Sequence, residues 1–341
     1  MRVLVTGGAG YIGSHTLVEL LAAGHEVCVV DNHANSSPEA LRRVREIAGR
    51  GFAAHVLDLR DTDALVAVAQ DFRPEAVIHF AGLKAVGEGE ADPLSYYEVN
   101  VGGTLSLLRA MAAADCGRII FSSSATVYGL PAYLPYDEDH PLAPVSVYGR
   151  TKRVAEDCLR DWAAARGRAG RPAAAILLRY FNPVGAHESG RIGEDPRGEP
   201  QNLMPYLAQV ATGRRRALRI FGDDWPTPDG TGIRDYIHVV DLARAHVAAL
   251  DLARRTEGAE ACNIGTGQGV SVREMLAAFS RAAGRELPCE IAPRRPGDLA
   301  ESRADCGRAA ARLGWRPEYG LEEMVASLWR WQSRNPDGYG G

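Results

Sequence analysis

The chain has 341 residues, of which 46% are hydrophobic, and its formal charge is only −4. This composition supports one large α/β unit or two modest domains, and the absence of a basic field argues against binding nucleic acid or a membrane surface. Six scattered cysteines form no C-x-x-C pair or zinc-ligand spacing, so we predict a reduced, cytoplasmic protein without a metal site. No leader peptide or apolar run of bilayer length is visible, and we expect neither secretion nor membrane insertion.

The first half of the chain alternates short β-branched runs with longer helical patterns. Such alternation predicts βαβ units, in which a parallel sheet is covered by helices on both faces. The predicted strands and helices are, in chain order, RVLVT, YIGSHTLVELLAAG, EVCVVD, SPEALRRVREIAG, AAHVLD, DTDALVAVAQDF, AVIHFAG, TLSLLRAMAAA, RIIFSSS, YGRTKRVAEDCLRDWAAA and AAAILLRY.

After about Phe181 the pattern breaks into long segments rich in Gly, Pro and Asp. Irregular stretches of this length predict functional loops rather than simple connections. Regular patterns return in DYIHVVDLARAHVAALDLA and VSVREMLAAFSRAAG. We therefore predict a Rossmann-type doubly wound sheet in residues 1–180 and a smaller mixed α/β domain in residues 181–341, with some segments of the second returning to the sheet.

A glycine-rich turn joins the first strand to the first helix, with Gly7, Gly10 and Gly13 spaced G-x-x-G-x-x-G. Glycine there permits a tight turn and close approach of the backbone to a pyrophosphate, and the helix N-terminus supplies amide donors. Asp31 ends the second strand, where its carboxylate can accept hydrogen bonds from an adenosine ribose and would repel a 2′-phosphate. The pattern favours NAD over NADP. The alternative is that Asp31 and Asn32 merely cap a turn.

Two further segments follow strands at the edge of the sheet where ligands bind. Asp58 and Leu59 follow the third predicted strand, and FAGLK, from Phe80 to Lys84, closes the fourth. In open α/β sheets, ligands lie outside the carboxyl ends of the strands. We therefore predict that both segments line the cofactor cleft.

Tyr148 and Lys152 are four residues apart on a predicted helix and so share one of its faces. A serine cluster, Ser122 to Ser124, ends the fifth strand. A phenol is a poor base at neutral pH, but a nearby ammonium group and a cationic nicotinamide both favour its phenolate. The set is suited to removing a proton from a carbinol as its hydride leaves for NAD.

Eight motifs together resemble the UDP-glucose 4-epimerase family of the extended short-chain dehydrogenase/reductase superfamily, over nearly the whole chain. They are VTGGAGYIGSH, FAGLKAVGE, FSSSATVYG, YGRTK, RYFNPVGAH, NLMPY, GTGIRDYIHVVDLA and RRPGDL. The resemblance implies an isomerase with tightly held NAD, in which a hydride leaves C4 of a UDP-hexose, the 4-keto sugar turns over, and the hydride returns to its other face. Tyr148 would be the base and later the acid, Lys152 would tune it, and Ser124 would contact the 4-oxygen.

The turn, the strand ends and the resemblance together define the predicted binding residues. The NAD-binding residues are Gly7, Gly10, Tyr11, Ile12, Gly13, Asp31, Asn32, Asn35, Ser36, Asp58, Leu59, Phe80, Ala81, Gly82, Lys84, Asn100, Ser122, Tyr148, Lys152 and Phe181. The substrate-binding residues are Lys84, Ser124, Tyr148, Tyr180, Asn182, Asn202, Leu203, Arg219, Ile220, Phe221, Arg234, Arg295, Asp298 and Ser302. The resemblance also implies a homodimer formed through two helices of each subunit, with TLSLLRAMAAA and RVAEDCLRDWAAA as the candidates.

Three alternatives remain at this point. A nucleotide-sugar 4,6-dehydratase needs an acid and a base beside the serine, whereas this chain has Ala125 and Thr126 there, which disfavours dehydration. A 4-reductase would release its cofactor at each turnover. A non-catalytic NAD-binding regulator would not need Ser124, Tyr148 and Lys152.

Three features depart from the family pattern. Val99 replaces an asparagine often found before Asn100, and the loop ARGRAGRPAA looks slightly long. Ser302 stands, in a predicted loop, where relatives restricted to the plain hexoses carry a tyrosine. Because an acetamido group needs the volume that a phenol ring would fill, we predict that N-acetylated UDP-sugars are also accepted, unless Arg303 occupies the space.

Overall fold

The protein is built from thirteen strands and twelve α-helices in the computed structural model, which describes residues 1–198, 200, 202–295 and 297–340. The strands are β1 Arg2–Thr6, β2 Glu26–Asp31, β3 Ala53–Val56, β4 Ala76–His79, β5 Arg118–Ser124, β6 Ala174–Tyr180, β7 Asn182–Val184, β8 Leu218–Phe221, β9 Ile233–His238, β10 Gly258–Ile264, β11 Gly269–Ser271, β12 Cys289–Ala292 and β13 Glu301–Ser302. The helices are α1 Tyr11–Ala22, α2 Pro38–Ala48, α3 Thr62–Phe72, α4 Val86–Ala91, α5 Pro93–Tyr97, α6 Gly103–Ala113, α7 Val147–Arg168, α8 Leu203–Ala211, α9 Val239–Arg254, α10 Val272–Ala283, α11 Gly307–Leu313 and α12 Leu321–Arg334. A π-helical turn, Glu98–Gly102, precedes α6, and 3₁₀ turns lie at Ala125–Val127 and Gly338–Gly340.

Seven parallel strands form the central sheet in the order β10-β6-β5-β4-β1-β2-β3. This is the doubly wound, Rossmann-type sheet that the sequence predicts. Strand order reverses between β1 and β4, so the loops after these two strands flank the crevice in which such folds bind ligands. The seventh strand, β10, comes from the second half of the chain and pairs along its whole length with β6.

The inner strands of the central sheet are buried on both faces, which explains the apolar runs of β1, β2 and β4, whereas the edge strand β3 is exposed. Along β1, Val3 and Val5 face a core shared with α1, α2 and α9, while Leu4 between them faces the core beneath α3, α6 and α7. The alternation follows from the two-residue repeat of a strand.

Two smaller sheets lie in the second half. In one, β9 pairs with β7 and β13 in parallel and with β11 in antiparallel orientation, and in the other β8 pairs with β12. Helices α8, α10 and α12 pack around a separate core that includes Phe279 and Trp331. None of the helices in the described part of the chain is long and apolar enough to cross a membrane.

Two segments that the sequence presents as loops are partly regular. The end of the Arg294–Asp305 stretch forms β13, because Glu301 and Ser302 pair with Ile233 and Arg234 of β9. Helix α7 continues to Arg168, into the predicted loop ARGRAGRPAA. The Ala and Arg residues at the start of this segment are good helix formers, which explains why the helix extends into it.

Candidate active site

The glycine turn between β1 and α1 is packed so tightly that side chains are excluded. Gly7 has φ +71°, and a Cβ atom on it would lie 2.6 Å from the backbone nitrogen of Ala81. A Cβ on Gly13 would lie 2.3 Å from the carbonyl oxygen of Gly7. The turn thus brings bare backbone to the N-terminus of α1, next to the loop after β4. This cradle fits a dinucleotide pyrophosphate.

Asp31 lies at the carboxyl end of β2 and is held by three donors. The backbone N–H of Ala9 donates to its Oδ2 at 2.9 Å, and the N–H of His33 and the hydroxyl of Ser36 donate to its Oδ1 at 2.9 and 2.8 Å. The carboxylate is therefore fixed beside the glycine turn, and Ser36 helps to fix it. Exposed Asn35 lies in the same loop.

Asn32 and Asp58 join the loops after β2 and β3. The side-chain amide of Asn32 donates to Asp58 Oδ2 at 3.0 Å. The pKa of Asp58 is lowered, chiefly by the hydrogen bond from Arg60. Leu59, by contrast, is buried under α6 beside Gly103, so its side chain belongs to the core and only its backbone can face a ligand.

Asn100 fastens the loop after β4 to helix α7. Its Oδ1 accepts the backbone N–H of Leu83 at 2.7 Å, and its Nδ2 donates to the Leu83 carbonyl and to Thr151 Oγ1, both at 3.0 Å. Gly82 is pressed against it, since a Cβ there would lie 2.9 Å from Asn100 Oδ1. Asn100 therefore positions Ala81, Gly82 and Lys84 through their shared loop, an arrangement that the sequence did not predict.

Helix α7 begins so that Tyr148 and Lys152 face the end of β5. Ser146 caps the helix by accepting the N–H of Gly149 at 3.0 Å. One turn later, Lys152 Nζ donates to the carbonyl oxygen of Ser122 at 2.8 Å. The Lys152 nitrogen lies 5.9 Å from the centroid of the Tyr148 ring, and Ser124 is close enough to lower the pKa of the Tyr148 phenol. The structure therefore brings together the three residues predicted to be catalytic.

Burial changes the ionisation of both partners. It raises the pKa of the Tyr148 phenol to about 12, against the lowering effect of the Ser124 hydroxyl. It lowers the pKa of the Lys152 ammonium to about 8, which the charge of Glu156 opposes. A phenol in this site becomes a base only when positive charge beside it favours the phenolate.

A buried network under this site was missed by the sequence analysis. Arg179 on β6 forms an ion pair of 2.7 Å with Glu156 on α7, and both side chains are at most 1% exposed. Ser123 donates to Glu156 at 2.6 Å, and Arg179 donates to Tyr128 at 3.1 Å. Glu156 lies one helical turn after Lys152, and Arg179 interrupts an apolar strand. These two features of the sequence could have indicated the buried ion pair.

Most of the predicted substrate residues with charged or aromatic side chains come together around β8, β9 and β13. The guanidinium groups of Arg219 and Arg295 lie 5.3 and 4.5 Å from the centroid of the Phe221 ring. Arg295 pairs with Asp298 at 2.9 Å. Arg234 is near this pair, and its pKa is lowered by burial and by the charge of Arg295. The cluster is a concentrated cationic surface.

Ser302 lies on the same face of its sheet as Arg234, because the two residues are register partners. Arg303 and Glu301 point to the opposite face and form an ion pair of 2.7 Å. Arg303 is therefore held away from the space beside Ser302.

The remaining predicted residues have separate places. Tyr180 is buried, with its hydroxyl bonded to Ser122, and Phe181 packs in a core near Tyr136. Asn182 donates to the carbonyl of Asp235 at 3.0 Å, and Asn202 and Leu203 begin α8. Ile220 is buried in the core of the second half. Phe80 packs on His246, and Ile12 packs on the core beneath α1. Ile220 can reach a ligand only through its backbone.

The family model described as the NAD dependent epimerase/dehydratase family matches residues 3–265. The UDP-glucose 4-epimerase of Bacillus subtilis (strain 168) is 55% identical over 339 residues, which cover 99% of each chain. This chain belongs to the UDP-glucose 4-epimerases of that family. NAD is the cofactor by which the family is described.

Two solved epimerase structures have nearly the same fold. The UDP-glucose 4-epimerase of Bifidobacterium longum, in complex with NAD⁺ and UDP, is 50% identical, with a TM-score of 0.94 over 99% of this epimerase and 100% of that chain. The enzyme from Stenotrophomonas maltophila, with bound NAD and formylated UDP-arabinopyranose, is 47% identical, with a TM-score of 0.95 over 98% and 99%. Full-length agreement of this kind disfavours the dehydratase, reductase and regulator alternatives.

Proposed function

We propose that this epimerase interconverts UDP-glucose and UDP-galactose by inverting C4, and that Ser124, Tyr148 and Lys152 are its catalytic residues. The observation that carries the proposal is that all three converge at the end of β5, where Lys152 donates to the Ser122 carbonyl and lies 5.9 Å from the centroid of the Tyr148 ring. Oxidation at C4 followed by reduction on the other face inverts the centre without net redox change.

Residues at the edge of the central sheet would hold NAD. Gly7, Gly10 and Gly13 present the backbone to its pyrophosphate, and Asp31 accepts from its adenosine ribose. Lys152 and the loop from Phe80 to Lys84 would hold its nicotinamide half. When bound, NAD supplies a reversible acceptor for the C4 hydride and a positive charge next to Tyr148.

Side chains of the protein carry out the proton transfer. Tyr148 accepts the proton of the C4 hydroxyl as a phenolate and returns it as a phenol, while the Ser124 hydroxyl hydrogen-bonds the same oxygen. The Lys152 ammonium stabilises the phenolate electrostatically. Because burial raises the pKa of Tyr148 to about 12, these nearby positive charges are essential for the base to form.

The cationic cluster is proposed to anchor the UDP group. Arg234 and Arg295 supply charge-assisted hydrogen bonds to the diphosphate, and the Phe221 ring packs against the Arg219 and Arg295 guanidinium groups and so helps to hold them. Asn182, Asn202 and Leu203 are proposed to complete this site. Firm anchoring of UDP leaves the hexose loosely held, so that the 4-keto ring can turn between the two hydride transfers.

Ser302 is proposed to admit N-acetylated sugars. It shares a face with Arg234, and Arg303 is engaged with Glu301 on the other face. The space beside Ser302 is thus free of the Arg303 side chain. We infer that UDP-N-acetylglucosamine and UDP-N-acetylgalactosamine are interconverted as well.

We also infer that the protein is a cytoplasmic homodimer with residues 1–180 binding NAD and residues 181–341 binding the UDP-sugar. All six cysteines are unpaired thiols, which suits a reducing compartment.

The proposed dimer interface is a groove between α6 and α7, which is lined by Leu105, Arg109, Cys158, Asp161 and Trp162, among others. Sedimentation as a dimer, lost in a Leu105→Glu variant, supports this assembly; a wild-type monomer contradicts it.

The activity is tested by incubating the purified protein with UDP-galactose, without added NAD, and following C4 by NMR. We expect UDP-glucose to form. Absence of inversion in protein that contains NAD overturns the proposal, and accumulation of a 4-keto-6-deoxy sugar would identify a dehydratase instead.

A further inference from the structure

Residues 187–198, here called the strap, follow β7 and cross the proposed cofactor cleft. At one end, Arg197 donates from Nη1 and Nη2 to the carbonyl oxygens of Ala34 and Ser36, at 3.0 and 2.8 Å, in the loop after β2. In its middle, Glu194 forms an ion pair of 2.9 Å with Lys84 in the loop after β4. Strand β1 lies between β4 and β2. A segment fastened to both neighbouring loops must therefore pass over the glycine turn that follows β1.

Contacts beneath the strap agree with this course. Tyr11, the first residue of α1, donates its hydroxyl hydrogen to the carbonyl oxygen of Gly185 at 2.6 Å, two residues before the strap begins. Burial and the nearby carboxylate of Glu194 both raise the pKa of Tyr11. The strap thus lies against the start of the helix that faces the pyrophosphate cradle.

The outer side of the strap is packed against the C-terminal part of the chain. Trp331 of α12 donates from Nε1 to the carbonyl oxygen of Glu194 at 3.2 Å, and the N–H of Tyr339 donates to Asp195 at 2.9 Å. A Cβ on Gly193 would lie 2.4 Å from the Trp331 ring. The side of the strap that faces away from the cleft is therefore closely packed against the C-terminal residues.

Its contacts with the cofactor side are of a weaker kind. Arg197 is exposed, and Lys84 is 50% exposed, whereas Glu194 is 8% exposed. Because water reaches Arg197 and the Lys84 ammonium, both contacts are weaker than a fully buried ion pair. Arg191 pairs with Glu46 of α2, and Gly193 packs on Trp331, so the strap stays attached at these two points when its contacts at Lys84 and Ala34 open.

We infer that the strap retains NAD in the cleft between turnovers, with Glu194 and Arg197 as positioning residues that set how slowly the cofactor leaves. The inference rests on the proposed function, because it concerns the same NAD. Glu194 orients the Lys84 ammonium, and Arg197 holds the loop that contains Asn35 and Ser36. NAD can depart only after both contacts open.

The test compares NAD release from holoenzyme of the wild type, Glu194→Gln, Arg197→Ala and the double variant. Released NAD is trapped by alcohol dehydrogenase with ethanol, and the reduced cofactor is followed by absorbance. We expect each single variant to release NAD roughly two- to fivefold faster, as the loss of one partly exposed polar contact allows. The double variant is expected to release it about tenfold faster, since the two contacts lie on different loops.

Arg285→Ala is the matched control. Arg285 is also exposed and also donates to two carbonyl oxygens, those of Val210 and Ala211, at 3.2 and 2.7 Å, but in the second half of the chain. Its loss is expected to lower thermal stability and leave NAD release unchanged. If Glu194→Gln and Arg197→Ala both release NAD at the wild-type rate, the proposed role of the strap is overturned. It is overturned as well if Arg285→Ala accelerates NAD release as much as the strap variants do. Failure of the proposed function differs, because then the wild type itself contains no NAD or inverts no UDP-hexose.

Discussion

Lys152 donates a hydrogen bond of 2.8 Å from Nζ to the carbonyl oxygen of Ser122, and so joins α7 to the end of β5. The bond holds the ammonium 4.8 Å from the centroid of the Phe121 ring and 5.9 Å from that of Tyr148. The charge is thereby fixed beside the phenol that must ionise.

Tyr148→Phe removes the proton acceptor and keeps the ring. We expect the rate of C4 inversion to fall by about 10²–10⁴, the usual contribution of a general base, while NAD content stays at the wild-type level. The NMR assay and the absorbance of NAD released on denaturation measure the two quantities. Retention of more than about a tenth of the activity would show that another group takes the proton.

The rate should depend on the charge of Lys152. Because burial lowers the pKa of Lys152 to about 8, the ammonium loses its proton as the pH rises through that value, and its help to the Tyr148 phenolate is lost. We expect kcat to decline above about pH 8. A pH profile measured with a parallel stability profile checks this. A kcat that stays level up to about pH 10 contradicts the role of the ammonium.

Glu156→Ala leaves the Arg179 guanidinium buried without its main partner. We expect the free energy of unfolding to fall by about 3–5 kcal/mol, because an unpaired buried charge is costly. The double variant Glu156→Leu/Arg179→Met removes both charges and should recover most of that loss. Urea unfolding of the three proteins gives the comparison, and a double variant no more stable than Glu156→Ala would contradict the assignment.

Stability should fall at mildly acidic pH. Burial lowers the pKa of His15 and His79 to about 3 and that of His238 and His246 to about 4. Below about pH 6.5 these histidines take up protons in the unfolded chain but not in the folded protein. Their contribution to the free energy of unfolding is therefore fully present above that pH and is lost progressively toward pH 4. At pH 5 each of the four histidines lowers the free energy of unfolding by about 2 kcal/mol relative to neutral pH.

Urea unfolding at neutral pH and at about pH 5 measures this loss. His246 is a suitable single site, because its Nδ1 must donate to the Leu242 carbonyl and its Nε2 has no partner among the described residues. The loss should be smaller in His246→Gln than in the wild type. An equal loss in the two proteins would show that His246 does not contribute.

Ser302→Tyr should block N-acetylated sugars and leave UDP-glucose and UDP-galactose turnover within a few-fold of the wild type. A phenol ring would fill the space that an acetamido group needs. Arg303→Ala, on the opposite face of β13, is the control and should leave the ratio of the two activities unchanged. Equal loss of both activities in Ser302→Tyr would show that the residue does not select among substrates.

Much of the central sheet was predictable because strands buried on both faces are continuous apolar runs: β1, β2 and β5 begin and end at the predicted residues. Strand β10 was not assigned, since GAEACNI mixes small and charged residues and gains its place only by pairing with β6. The Tyr148 and Lys152 contact followed from helical spacing. The Glu156–Arg179 pair did not, because no local pattern links a helix to a strand that it meets only after folding.

The most direct test uses UDP-glucose that carries deuterium at C4, incubated with the protein as purified and without added NAD. If the hydride removed from C4 returns to the same carbon in the same site, the UDP-galactose formed carries its deuterium at C4. Product with solvent hydrogen at C4, or deuterium found in released cofactor without inverted sugar, would contradict the account.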